Sequence, residues 1–272
     1  MRNQRPDELL TLLREAFREL RLPELATELD AAITAGATDE TLDDGDSRLR
    51  WLWRLVEPQL NARRERATER RLIAARFPAR KSLDNFDFKF QPQLDRERVL
   101  ELATLDFVRR GQNLLVAGMS GTGKSHICIA LGHLACAAGI RTRYTTSADM
   151  LSDLHTAVAT GALADVAKRY TKPQLLIIDE VGLDRPERER GRDAQLFYKV
   201  VRPRHQEAKS TVITSNIDWD AWGAYLGDDV ATVAILDRLI EHGHLLTIEG
   251  PSWRGEQHRK LNARDGGAVV VD

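Results

Sequence analysis

The sequence predicts an α/β fold with a five-stranded parallel sheet, preceded by a small all-helical N-terminal domain. Three observations predict it. Five short apolar runs alternate with helical patterns between residues 96 and 250. A glycine-rich turn follows the first of those runs and opens a helix. Before them, Leu9, Leu10, Leu13, Phe17 and Leu20 recur at helical spacing.

The chain's 272 residues can hold one large α/β domain and a small accessory domain. With 42% apolar and 30% charged residues the composition is that of an ordinary globular protein. No apolar run approaches the roughly 20 residues that cross a bilayer, and MRNQRPDELLTLLREAF lacks a signal-peptide layout. The expected location is the cytoplasm, with no membrane partner. Cys128 and Cys136 fall in one predicted helix, about 12 Å apart at 1.5 Å per residue. They are too distant to bridge, and are read as small buried apolar residues.

In chain order, residues 7–35 predict two amphipathic helices parted at Pro23, and 38–47 an acidic surface loop. A further helix carries Trp51 and Trp53, and after Pro58 an Arg-rich helix runs on to end before Pro78. The net charge is −1, yet Arg63, Arg64, Arg66, Arg70, Arg71, Arg76, Arg80 and Lys81 form a local basic block. It fits a polyanion footprint or a solvated helix face about equally. Residues 1–75 are thus a helical partner- or DNA-binding domain, and 76–95 a linker rich in Pro and aromatic residues. The second domain, 96–250, opens with a helix over 96–110. Strands are expected at 113–118, 141–146, 174–179, 211–215 and 244–248. Near-continuous runs such as LLIID mark strands covered on both faces. Residues 251–272 are a polar, poorly ordered tail.

Gly118-Met119-Ser120-Gly121-Thr122-Gly123-Lys124-Ser125 fits G-x-x-x-x-G-K-[ST], with a strand before it and a helix from Ser125 to about Ala138 after it. The glycines let backbone N–H groups wrap a polyphosphate, and the helix N-terminus adds positive potential. Lys124 reaches the β- and γ-phosphates of ATP, and the Ser125 hydroxyl ligates Mg²⁺. Met119, Ser120, Thr122 and His126 complete the predicted phosphate-binding set. The run QLLIIDE ends in Asp179 and Glu180, where open α/β sheets bind ligands. Asp179 suits Mg²⁺ binding, and Glu180 orienting or deprotonating the attacking water. The run STVITSN ends in Asn216, whose amide can touch the γ-phosphate or its water. An Asx turn is the alternative, and a third polar group at the strand-end rim favours the first reading. Arg238 follows Asp237 on a helix, and these residues alone favour a surface ion pair.

Together these segments resemble the IstB family, AAA+ ATPase helpers of insertion-sequence transposases, closely related to the DnaC helicase loader. The resemblance spans nearly the whole chain. It rests on AARFPARKSLDNFDF, NLLVAGMSGTGKSH, RTRYTTSADML, LLIIDEVG, STVITSN and GDDVATVAILDRLIEHGHLLTIEGPSWR. It implies the AAA+ strand order with the P-loop strand central, and Ala148–Tyr170 as the helix of the initiator and loader clade. It also implies Arg238 as a finger acting across a subunit interface, and Phe86 or Phe88 bordering the adenine. The implied activity is ATP hydrolysis by a homo-oligomer that assembles on double-stranded DNA and recruits a transposase. The alternative partner is a replicative helicase. Intact Lys124, Asp179, Glu180 and Arg238 argue against a scaffold without hydrolysis. Met119-Ser120 replaces the family's Pro-Pro, 183–192 is longer and more charged than expected, and Pro203 interrupts a region expected to be helical.

Overall fold

The computed structural model describes residues 45–264 apart from 184–191, with isolated positions before them. The chain divides into two compact units, Met1–Glu69 and Arg70–Asp272, each described by itself. In the first, the described part is chiefly helix α1 (Gly45–Ala75), which continues into the second. Pro58 lies inside α1, where two separate helices were expected. Proline removes one helical donor, and the long regular stretches on either side carry the helix across it. Residues 45–47, expected in the acidic loop, form the first turn of α1. Apart from isolated positions, the helices expected over 7–35 lie outside the described residues. So do 38–44 of the loop, the side chains of Trp51 and Trp53, and 184–191.

The second unit runs α2 (Arg96–Ala103), α3 (Asp106–Arg109), β1 (Asn113–Gly118), α4 (Lys124–Ala137), β2 (Thr142–Thr146), α5 (Ser147–Ala159), α6 (Leu163–Thr171) and β3 (Leu175–Val181). It continues with α7 (Asp193–Gln206), β4 (Ser210–Ser215), a 3-10 turn (Trp219–Ala221), α8 (Trp222–Leu226), α9 (Asp229–Ile240), β5 (Gly243–Ile248) and α10 (Trp253–Arg264). The five strands pair in parallel in the order β2-β3-β4-β1-β5. This is the expected AAA+ sheet, although β4 takes its middle and β1 lies one strand in from the edge.

Strand periodicity divides the core between the two faces. Leu114, Val116, Leu175, Ile177 and Val212 pack with Ile127 and Leu131 of α4. Leu115, Leu176, Ile178 and Ile213 pack on the other face with Met150, Leu154, Phe197 and Ile235. Both faces are covered, as the continuous apolar runs require. Cys128 and Cys136 are free and buried in α4. Residues 76–95 form no helix or strand, and Phe77, Leu83, Phe86 and Phe88 pack against the α4-side core. Among the described residues no helix is long and apolar enough to cross a membrane.

Four further expectations are corrected. The helix expected over 96–110 breaks at Leu105, whose φ of 62° turns the chain so that its side chain is buried. The strain of about 1 kcal/mol is offset by that burial. The stretch 148–170 is two helices, because Gly161 at φ 71° ends α5, its N–H donating to Val158 O. Pro203 sits inside α7. The next residue, Arg204, anchors that last turn, being 1% exposed and donating to the carbonyls of Tyr170, Pro173, Gln174 and Ser210 and to Thr211 Oγ1. Finally, the supposed tail contains α10.

Candidate active site

The loop after β1 needs its glycines. Gly118, Gly121 and Gly123 have φ of 148°, 82° and 103°. A Cβ on them would meet, respectively, Ile248 O, Ser252 Oγ and, at 2.6 Å, Phe86 Cε2. Bare backbone therefore lines the cradle. Thr122 Oγ1 donates to Met119 O at 2.9 Å and locks the turn. Lys124 is 5% exposed, and its Nζ donates to Gly118 O at 2.7 Å and Met119 O at 2.8 Å. Burial lowers its pKa, which Asp179 pulls back upward. Met119 itself is 77% exposed and, like Gly118, does not border the cavity described below; its carbonyl accepts from Thr122 and Lys124.

Asp179 is the hub of the strand-end rim. Its Oδ1 accepts from Ser125 Oγ at 3.0 Å, Glu180 N at 3.1 Å and Thr214 Oγ1, and its Oδ2 from Tyr144 OH at 2.7 Å. Burial and the neighbouring Asp179 push the Tyr144 pKa well up, keeping its hydroxyl a donor. The β3–β4 register shifts between Ile178 and Val181, and Glu180 sits at φ 63°. Its N–H leaves the ladder to reach Asp179 and, at 2.9 Å, Thr214 Oγ1. Such bulges re-aim side chains at the ends of strands.

Ser120, Lys124, Ser125, Asp179, Glu180 and Asn216 line one cavity of about 1040 Å³. Gly121, Thr122, Gly123 and His126 also border it. His126 braces the neighbouring segment, with Nε2 bonded to Ser82 O at 2.8 Å and its ring edge-on to Phe86. Of the two phenylalanines singled out, Phe86 borders the cavity, and Phe88 packs behind it at a centroid distance of 4.8 Å. Arg238 does not border it. Its Nη1 donates to Ala234 O, and the guanidinium lies 4.9 Å from the Tyr198 ring centre.

The sequence reading missed Tyr144, Thr214 and the stretch 250–254. Thr214 had a signal, since it lies two positions before Asn216, which follows β4, and it faces the end of β3. The tail had less. There Trp253 N donates to Gly121 O at 2.9 Å, Trp253 stacks edge-on with Phe90, and Arg254 borders the cavity. These contacts join residues distant in sequence.

The residues fit a magnesium nucleotide. A glycine-lined cradle at a helix N-terminus suits phosphate. A hydroxyl and a carboxylate 3.0 Å apart are the hard oxygen donors that Mg²⁺ takes together with water and phosphate. The remaining aromatic-walled space is large enough for a nucleoside.

The IstB-like ATP binding protein family matches residues 15–261. A Geobacillus stearothermophilus protein named for ATP binding in insertion sequence IS5376 is 32% identical over 247 residues, covering 91% of this chain and 95% of that protein. A Pseudomonas aeruginosa protein so named in IS21 is 38% identical over 205 residues, covering 75% and 76%. Among solved structures, AMPPCP-bound DnaA from Aquifex aeolicus superposes with a TM-score of 0.50 at 19% identity, covering 69% of this chain and 56% of that one, a likeness of fold alone.

Proposed function

Given that the chain belongs to the IstB-like ATP-binding family, with an AAA+ fold, we propose that it hydrolyses ATP while assembled on duplex DNA and thereby assists a transposase. The observation that carries the ATPase reading is the convergence of Lys124, Ser125, Asp179, Glu180 and Asn216 on one cavity. Insertion-sequence relatives support the transposition context. Exposed arginines at positions 63, 64 and 70 of α1 support a phosphate-backbone contact.

In this reading the loop amides and Lys124 grip the polyphosphate, and Ser125 and Asp179 hold Mg²⁺. When bound, that ion would neutralise negative charge on the phosphates. Thr214, Tyr144 and the Glu180 amide hold the Asp179 carboxylate in orientation. Glu180 accepts a proton from the attacking water, and Asn216 positions that water. Arg238, which does not border its own cavity, serves a neighbouring subunit's γ-phosphate.

The test is ATP turnover with and without duplex DNA, at two salt concentrations. Turnover that rises with duplex and loses that rise steeply with salt is expected. A rate indifferent to DNA removes the duplex from the mechanism, and no turnover at all removes hydrolysis. Firmer association with a replicative helicase than with a transposase would turn the partner assignment to the loader reading.

A further inference from the structure

The sheet ends at β5, and no described segment pairs with the outer edge of that strand. An open edge is a row of unpaired N–H and C=O groups, ready to take another strand. Proteins that keep such an edge single guard it with charges, proline or a bulge. The strand, GHLLTI, holds no proline and no Asp, Glu, Lys or Arg. Its register with β1 runs from Asn113–Gly243 to Gly118–Ile248 without a shift, so no bulge turns the edge away.

One face of β5 is bare as well. Leu246 and Ile248 are buried in the α4-side core, whereas Gly243, Leu245 and Thr247 alternate with them and are exposed. Leu115, the neighbour of Leu245 in register on β1, is buried with Ile235 and Leu239 of α9. Leu245 itself is 59% exposed, so α9 covers β1 and stops short of it. Arg238 lies on the flank of α9 that meets Tyr198 of α7. The opposite flank carries Val233 and Ile240, seven residues and two turns apart and both more than half exposed. Ile240 adjoins the start of β5, since a Cβ on Gly243 would come within 3.3 Å of its Cα. An aliphatic strip thus runs beside the open edge.

The charges stand at the two ends of the strand. At its start, Arg98 Nη2 bonds to His244 Nδ1 at 2.6 Å. Burial and the charges of Arg98 and Arg110 hold the His244 pKa down, against Glu101. Glu101 pairs with Arg98, and Arg110 adds a further exposed positive charge. At the other end stands Glu249, also exposed. Two copies laid antiparallel bring the positive start of one strand beside Glu249 of the other, and the uncharged middles together. Parallel copies would set like charge beside like.

We propose that the β5 edge and the adjoining flank of α9 form an interface with a second copy of this chain. The two β5 strands pair antiparallel across a two-fold axis, and Leu245 and Ile240 of each copy are covered. This contact is separate from the one read for Arg238, which lies on the other flank of α9. It does not depend on the reading of the cavity as an ATP site.

Sedimentation of the full chain without nucleotide or DNA tests it, since Arg238 then has no γ-phosphate to reach. A reversible dimer is expected in the micromolar range. Leu245→Lys should weaken that dimer by about tenfold or more, because it sets like charges together at the axis and guards the edge. Cys128 and Cys136 are buried, so in Leu245→Cys a short bifunctional thiol reagent should link two chains through position 245. A protein monomeric throughout that range overturns the proposal. So does a folded Leu245→Lys protein that dimerises as the parent does, or a Leu245→Cys dimer that the reagent leaves unlinked. Loss of transposase binding in Leu245→Lys with self-association unchanged would assign the edge to that partner, and overturns it equally.

Discussion

Thr214 on β4 donates its hydroxyl to the same oxygen of Asp179 on β3 that Ser125 reaches from α4. One carboxylate oxygen therefore gathers the helix after the P-loop and two adjacent strands, and the same threonine accepts from Glu180 N.

Thr214→Val keeps the shape and removes that tether. Losing a hydrogen bond to a charged group costs about 1.5–3 kcal/mol. Single-turnover hydrolysis should slow by about 10- to 100-fold. ATP affinity should stay within a few-fold, because the cradle is untouched. An unchanged rate would reduce Thr214 to a packing residue.

Glu180→Gln and Lys124→Ala separate chemistry from binding. The first should keep ATP bound and lower turnover by about 10² or more, and the second should abolish binding in the same titration. Undiminished hydrolysis by Glu180→Gln would remove that carboxylate from the mechanism.

Arg238→Ala should retain nucleotide affinity, since the side chain lies outside its own cavity and over Tyr198. Turnover should fall by about 10³ if it acts as a finger. Mixing with Lys124→Ala subunits should restore activity, the latter supplying Arg238 to a competent neighbour. Absence of rescue would leave Arg238 as a helix-surface residue.

Truncation after Glu249 should weaken ATP binding about tenfold, the loss expected for one hydrogen bond and one aromatic contact. The bond is Trp253 N to Gly121 O, and the contact Trp253 on Phe90. Equal affinities in calorimetry would show the cradle to be independent of its C-terminal support.

Burial holds the His126 pKa below its ordinary 6.5, against the opposing bond to Ser82 and with Lys81 assisting. Between the depressed folded value and 6.5 the unfolded chain binds the extra proton, so stability rises with pH there. This contribution is complete above about pH 6.5 and is lost as pH falls below it. His126→Gln should therefore show a shallower acid-side fall in melting temperature than the parent protein. Parallel curves would mean that His126 titrates alike in both states.

The sequence by itself determined the parallel sheet, the P-loop and the rim. Gly118 to Ser125, the run ending at Asp179 and the run ending at Asn216 are local patterns, and period and spacing carry them. Tertiary structure alone decided which groups complete the site. Tyr144 and Thr214 meet Asp179 only because β2, β3 and β4 are neighbours in the sheet. Phe86, Gln91 and Trp253 share a cavity only because the segment after β5 returns to the P-loop. No periodicity records a contact between residues 160 positions apart, as Gln91 and Pro251 are. For the same reason α10 was read as a tail, since its polar composition hides a first turn anchored by the backbone of Gly121.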